Sequence, residues 1–197
     1  HLVTFRDNLD TLVGEPPTNV SGICSTEDWV GAAIEAGYGG VSGVVEYCLL
    51  SLDDIPEESA DCPSPKDCHN PYPSDMEDKI HPWRTSDGRT WTTPDPEGEL
   101  IVLPAATGLK CQAEKLIEDS PTGCEFKADD LDLFFADLDE ALALVDPTQL
   151  NTFKGTYSQG AALDLTLQED WLMRLQPYLD DGSVQWATIT EIMDKVE

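Results

Sequence analysis

The apolar positions of the chain change their period several times, and each change predicts an element. Phe5, Leu9, Leu12 and Val13 recur at helical spacing over Thr4 to Val13, and Gly14 followed by two prolines ends that helix. Thr18 to Ile23 reads as a short strand. Ser25 then stands at an N-cap position with Asp28 three residues on, Trp29, Ala33 and Ala36 share a face, and Gly37 supplies a left-handed stop. Val41, Val44, Val45, Leu49 and Leu50 make an almost continuous apolar run, the pattern of a strand buried on both faces. Strand, helix and strand in that order form a β-α-β unit and predict a parallel sheet.

From Ser51 to Gly98 the periodicity disappears, and the stretch holds eight prolines and many acidic residues. A loop of this length inside a compact domain predicts a functional segment. Order returns with a strand over Glu99 to Pro104 and a short helix over Lys110 to Glu118. The clearest helix is Asp129 to Val145, with Leu131, Phe134, Phe135, Leu138, Ala141 and Leu142 on one face and Asp129, Asp130 and Asp132 at its positive end. Thr152 to Ser158 reads as a strand, Leu167 to Leu179 as an amphipathic helix closed by Asp181-Gly182, and Ser183 to Ala187 as a strand. Thr188 with Glu191 opens the last helix as a capping box. About five strands are too few to close a barrel of about eight. The predicted fold class is therefore α/β, the carboxyl-terminal part of a larger β/α barrel with parallel strands, outer helices and a long Pro-rich loop. An open doubly wound sheet is the alternative.

Charge narrows the partners. With 39 acidic residues against 11 basic ones, the formal charge of the 197-residue chain is −28. Such a surface does not neutralise phosphates, so nucleic acid is excluded as a partner, and an anionic membrane with it. Dense acidity keeps a protein solvated, and salt screens its self-repulsion, which suits a saline habitat. No apolar run reaches transmembrane length. The chain begins with His, which fits cleavage or a fragment.

Six cysteines add a compartment. Cys62 and Cys68 lie in a polar loop where a free thiol has no packing reason to be, so disulfides and a secreted or cell-surface protein are expected. Local pairing gives Cys24–Cys48, Cys62–Cys68 and Cys111–Cys124; the alternative is six reduced, buried thiols. Asn19-Val20-Ser21 is an N-glycosylation sequon, with Asn19 as the acceptor.

Candidate chemistry is sparse. Glu46 interrupts an apolar strand near its carboxyl end, where barrel enzymes keep their acids and bases, weighed against a salt bridge or an outward-facing edge position. His81, flanked by Pro82 and Trp83, is a candidate lining residue of a sugar cleft, weighed against a turn residue packed on Trp83. Tyr72, Trp83 and Trp91 are candidates for stacking on sugar rings, weighed against a role in pinning the long loop. His69 and the pair Asp53/Asp54 read as solvated loop residues. His1, as a free amino-terminal histidine, is also a copper ligand in principle, although copper enzymes of that type are β-sandwiches.

His81-Pro82-Trp83-Arg84, Ser86-Asp87-Gly88-Arg89, Asp95-Pro96-Glu97-Gly98-Glu99-Leu100 and Leu103-Pro104 resemble the late segment of polysaccharide deacetylases. The tail from Leu175 to Thr188 resembles the last strand and helix of that family's distorted (β/α)7 barrel, and Asp28-Trp29-Val30 through Ala36-Gly37-Tyr38 resembles its central helix. The resemblance implies metal-dependent hydrolysis of N- or O-acetyl groups on glycans, with a divalent cation, zinc foremost, polarising the acetamide oxygen and acidifying its water. It places His1 where the second histidine of the metal pair stands; beside it, Glu46 and His81 are the catalytic candidates, and Trp83, Arg84 and Tyr72 are the candidates at the substrate. The family's early Asp pair and a complete His pair are not in this sequence, and the strand from Lys154 to Gly160 lacks the late histidine acid. The expected partners are thus a glycan, an upstream fragment of the same precursor that completes the site, and a further copy of the chain. The alternative is a non-catalytic glycan-binding or assembly protein on the same fold.

Overall fold

The computed structural model describes residues 2–21, 29–44, 75–88, 90–108, 126–156 and 164–196. The chain begins with α1 (Leu2–Val13), β1 (Asn19–Ser21), α2 (Trp29–Glu35) and β2 (Gly40–Val44). There follow α3 (Met76–Ile80), β3 (Trp83–Thr85), β4 (Leu100–Pro104) and β5 (Thr107–Gly108). It closes with α4 (Ala128–Ala143), β6 (Gly155–Thr156), α5 (Leu165–Asp180) and α6 (Ile189–Met193).

The described residues form a mixed α/β structure around a four-stranded sheet in the order β1-β2-β4-β3. The β-α-β reading of the opening stretch holds: β1 pairs parallel with β2, Asn19 opposite Gly40 and Ser21 opposite Ser42, and α2 makes the crossover. β2 pairs parallel with β4, Val41 opposite Val102, with an irregularity between Ser42 and Val44 where Pro104 enters the register. At Gly37, φ is +73°, the left-handed stop expected of a glycine.

The alternation of side chains builds two cores, one on each face. On one face Val41, Leu100 and Val102 pack with Val30, Ala33 and Ala36 of the α2 segment, with Tyr38, and with Trp83 and Trp91. On the other, Ile101 and Leu103 pack with Val196, Leu150 and the α6 residues Ile189, Ile192 and Met193. A third cluster lies away from this sheet, where Phe134 and Phe135 of α4 meet Trp171, Leu175 and Tyr178 of α5. There Phe134 makes edge-on contacts with Phe135, Phe153 and Trp171 at 5.2, 5.3 and 5.5 Å between centroids, the geometry that aromatic quadrupoles favour. Arg174 reinforces the α4–α5 contact, with its guanidinium 4.3 Å above the Phe135 ring and 2.9 Å from Asp132.

Helix ends follow local chemistry. The Thr188–Glu191 capping box forms as expected: Glu191 donates its N–H to Thr188 Oγ1 and accepts the Thr188 N–H at 2.7 Å. Asp130 is buried and accepts the Lys127 N–H at 2.9 Å, so this acid caps the backbone as well as facing the helix dipole.

Three expectations need correction. The stretch from Ser51 to Gly98 contains α3 and β3, and β3 runs antiparallel to β4 (Trp83 opposite Val102), so the sheet is mixed rather than wholly parallel. Three residues are too short a run for a period to show. Ser183 to Ala187 is not a strand: Ser183 caps back onto Asp181 and Tyr178, and Val184 N–H bonds to Tyr178 O at 3.0 Å, folding the segment against α5. Among the described residues of the Thr152–Ser158 stretch, Gly155–Thr156 pair as a strand, parallel to β5, and 157–158 lie outside the described residues.

Candidate functional site

Because β1, β2 and β4 are parallel, Ser21, Val44 and Pro104 lie at one edge of the sheet. β5 starts just beyond Pro104 and pairs parallel with β6 in a separate two-stranded sheet. In α/β proteins the carboxyl ends of parallel strands are where ligands bind, since the connecting segments diverge there. In this chain the sequence beyond each of those ends (22–28, 45–74, 109–125 and 157–163) lies outside the described residues. So do His1, Glu46, His69, Tyr72 and all six cysteines, Cys24, Cys48, Cys62, Cys68, Cys111 and Cys124. In sequence, Glu46 follows the end of β2 by two residues.

The described candidates do not converge on one cleft. Trp83 is 9% exposed and its indole N–H donates to Trp91 O at 2.6 Å, while the two rings stack at 6.1 Å. Its face is covered by Trp91 and the α2 core, which leaves no surface for a sugar ring. Arg84 points to the opposite side of β3 and donates to Val196 O at 2.9 Å and Gly98 O at 3.4 Å, tying the end of the chain to the sheet. The His81 ring is half-buried, with Nδ1 3.3 Å from Leu150 O. Asn19 is placed in β1, where its Nδ2 donates to the buried Ser42 Oγ at 3.0 Å. The acceptor nitrogen of the sequon is thus engaged within the strand pair.

A group of polar residues that periodicity did not single out lies where β5 meets α4. Thr107 is 6% exposed, and its Oγ1 is buried without a hydrogen bond of good geometry. It lies close enough to the half-buried Asp137 carboxyl to favour the charged form. Burial outweighs this and pushes the Asp137 pKa up; Lys79 of α3 opposes that rise and Glu140 adds to it. Beside it, Lys154 O accepts the N–H groups of Ala106 at 2.9 Å and Thr107 at 3.4 Å, which fixes the backbone entering β6. Burial lowers the Lys154 ammonium to about 8. The signal in the sequence was a lysine following Phe153 in a segment read as a strand, and an acid on the border of the apolar face of α4.

Zinc, the cation implied by the resemblance, needs three or four donors of His, Cys or carboxylate type. Among the described residues no three such side chains are grouped to hold a metal ion, so they do not fit zinc. No described helix is long and apolar enough to cross a membrane. Comparisons of the chain with protein-family models, with curated proteins and with solved structures find no match.

Proposed function

We propose that the chain is a secreted, glycan-recognising α/β protein of the polysaccharide-deacetylase type, the carboxyl-terminal part of a distorted β/α barrel. The observation that carries this reading is the common carboxyl edge of β1, β2 and β4, with Glu46 following β2 in sequence. At such an edge a carboxylate is available to accept hydrogen bonds from sugar hydroxyl or acetamide N–H groups, and in the hydrolytic form of the reading it takes a proton from attacking water. An upstream fragment of the same precursor supplies the remaining barrel strands and the acid and histidine ligands in that form. Six cysteines, an even number, and the extreme acidity fit an extracellular setting.

A second reading, recognition without hydrolysis, is favoured by one specific feature. Lys154, not histidine, stands in the strand that the resemblance assigns to the late general acid. The test is to measure both binding and acetate release with N-acetylated and O-acetylated oligosaccharides, with and without added zinc. Both readings predict saturable binding, and only the first predicts acetate, once the upstream fragment is present. Failure to bind any such glycan contradicts both.

A further inference from the structure

The outward face of α5 carries an apolar seam. The inward side of this helix, with Trp171, Leu175 and Tyr178, packs on α4. On the other side Leu165, Leu172 and Met173 are 74%, 52% and 66% exposed. Single exposed apolar residues are ordinary on a surface, but these three share one side of one helix within about two turns. Positions 165, 169, 172 and 176 follow the four–three–four spacing with which one helix meets another. They hold Leu165, Glu169, Leu172 and Gln176, all exposed, with Met173 beside Leu172. Gln176 is tied to its own helix, its Nε2 donating to Asp180 Oδ1 at 2.6 Å. Arg174, the one basic residue of α5, is turned to α4, 2.9 Å from Asp132 and over the Phe135 ring. The charged member of the seam is therefore an acid, Glu169, set between two leucines.

Charge selects what covers such a face. A carboxylate covered by a second helix is stable only when a cation faces it, and the leucines on either side call for apolar residues next to that cation. A second copy of the chain brings Glu169 and a net charge of −28 instead, so self-pairing is opposed. We propose that the outward face of α5 docks a basic amphipathic helix of a partner protein, which sets a lysine or arginine between apolar side chains against Glu169. Leu165 and Leu172 supply the fixed apolar contacts, and the thioether of Met173 adapts to the partner's side chains. The acidity of the rest of the chain steers such a helix towards the surface and speeds the encounter.

The test titrates two synthetic amphipathic peptides into the protein by calorimetry at physiological salt. Both carry leucines at the spacing of the seam and lysines on the far side; one has lysine and the other glutamate at the position facing Glu169. The proposal expects saturable one-to-one binding, with the lysine peptide preferred about tenfold. Glu169→Lys reverses that preference, and Leu172→Ser weakens the lysine peptide about tenfold. Both positions are exposed, so the Tm of each variant stays that of the wild type. The proposal is overturned if neither peptide binds saturably, or if Glu169→Lys keeps the wild-type preference or Leu172→Ser binds unchanged, as when net charge alone attracts any basic peptide. Self-association of the chain that Leu172→Ser abolishes overturns it as well, because a second copy then covers the face.

Discussion

Asp146 organises the turn that leads from α4 towards β6 with a single carboxylate. Its Oδ1 accepts from Thr148 N–H at 2.8 Å and Thr148 Oγ1 at 2.7 Å, and its Oδ2 accepts from Gln149 Nε2 at 2.8 Å. The Thr148 hydroxyl and the Gln149 amide, with the Thr148 N–H, hold the carboxyl down to about 2 from an ordinary 3.8. A depressed folded-state pKa stabilises the protein above the unfolded value, and that contribution is lost as pH falls through the folded value. Stability should therefore fall between about pH 4 and about pH 2 in the wild type, and less so in Asp146→Asn, as read by urea midpoints across that range. Lys154 gives a slope of the same sign in a higher window, although here the shift opposes folding below it. Its folded pKa, about 8, lies below the ordinary 10.5, so the unfolded chain holds the proton longer and stability rises with pH across that window. Lys154→Met should remove that rise; an identical pH slope in both proteins would count against the burial of the amine.

Trp83 shows what a residue's surroundings hide in a sequence. A tryptophan in a polar, proline-rich stretch reads either as a candidate for sugar stacking or as a residue that pins the loop. The structure places it opposite Val102, with its N–H bonded to Trp91 O and its ring on the α2 core. Trp83→Ala should cost about 3–5 kcal/mol of stability by calorimetry or urea titration. Glycan affinity in the remaining folded protein should be unchanged.

At the scale of elements, patterns of ten residues or more were legible, and short ones were not. α4 and α5 carry an apolar face long enough to show its period, and they are found within two residues of the expected bounds. The parallel pairing of β1 and β2 was legible because the helix between them has a clear stop at Gly37. β3 was missed because Trp83–Thr85 has no room for alternation, and its place is fixed by distant partners: β4 on one side and Val196 through Arg84. Gly98 belongs to the same element pair. An added Cβ there would lie 2.5–2.6 Å from the backbone of Thr85, whereas at Gly40 its tight contacts are with the flexible end of Met193, at 2.8 and 2.9 Å, and the nearest backbone atom, Ile101 O, is at an ordinary 3.4 Å. Gly98→Ala should therefore destabilise by about 1–3 kcal/mol and Gly40→Ala by less, because a backbone cannot step aside and a thioether can. Equal melting temperatures for the two variants would contradict the close approach of β3 to the turn before β4.

For the molecule as a whole, the charge is the largest fact. A net −28 on 197 residues stores self-repulsion that salt screens. The melting temperature should rise as sodium chloride is added, and a fall would remove the argument for a saline setting. Intact mass should drop by six protons relative to the reduced chain if all six cysteines are paired. The α/β class was legible from the opening unit alone. The candidate site was legible only in outline, because a carboxyl edge is a property of topology, while the sequence that follows those strand ends lies outside the described residues. The polar group at Thr107, Asp137 and Lys79 shows a further limit, since three separate elements must meet before it exists.

The central claim is that glycan recognition occurs at the carboxyl edge beyond β2. It is tested most directly by calorimetric titration of an acetylated oligosaccharide into the wild type, Glu46→Gln and Trp83→Phe. The account predicts that Glu46→Gln loses about tenfold or more in affinity, the worth of a hydrogen bond to a charged acceptor, while Trp83→Phe binds as the wild type does. Unchanged binding in Glu46→Gln together with a loss in Trp83→Phe would contradict it.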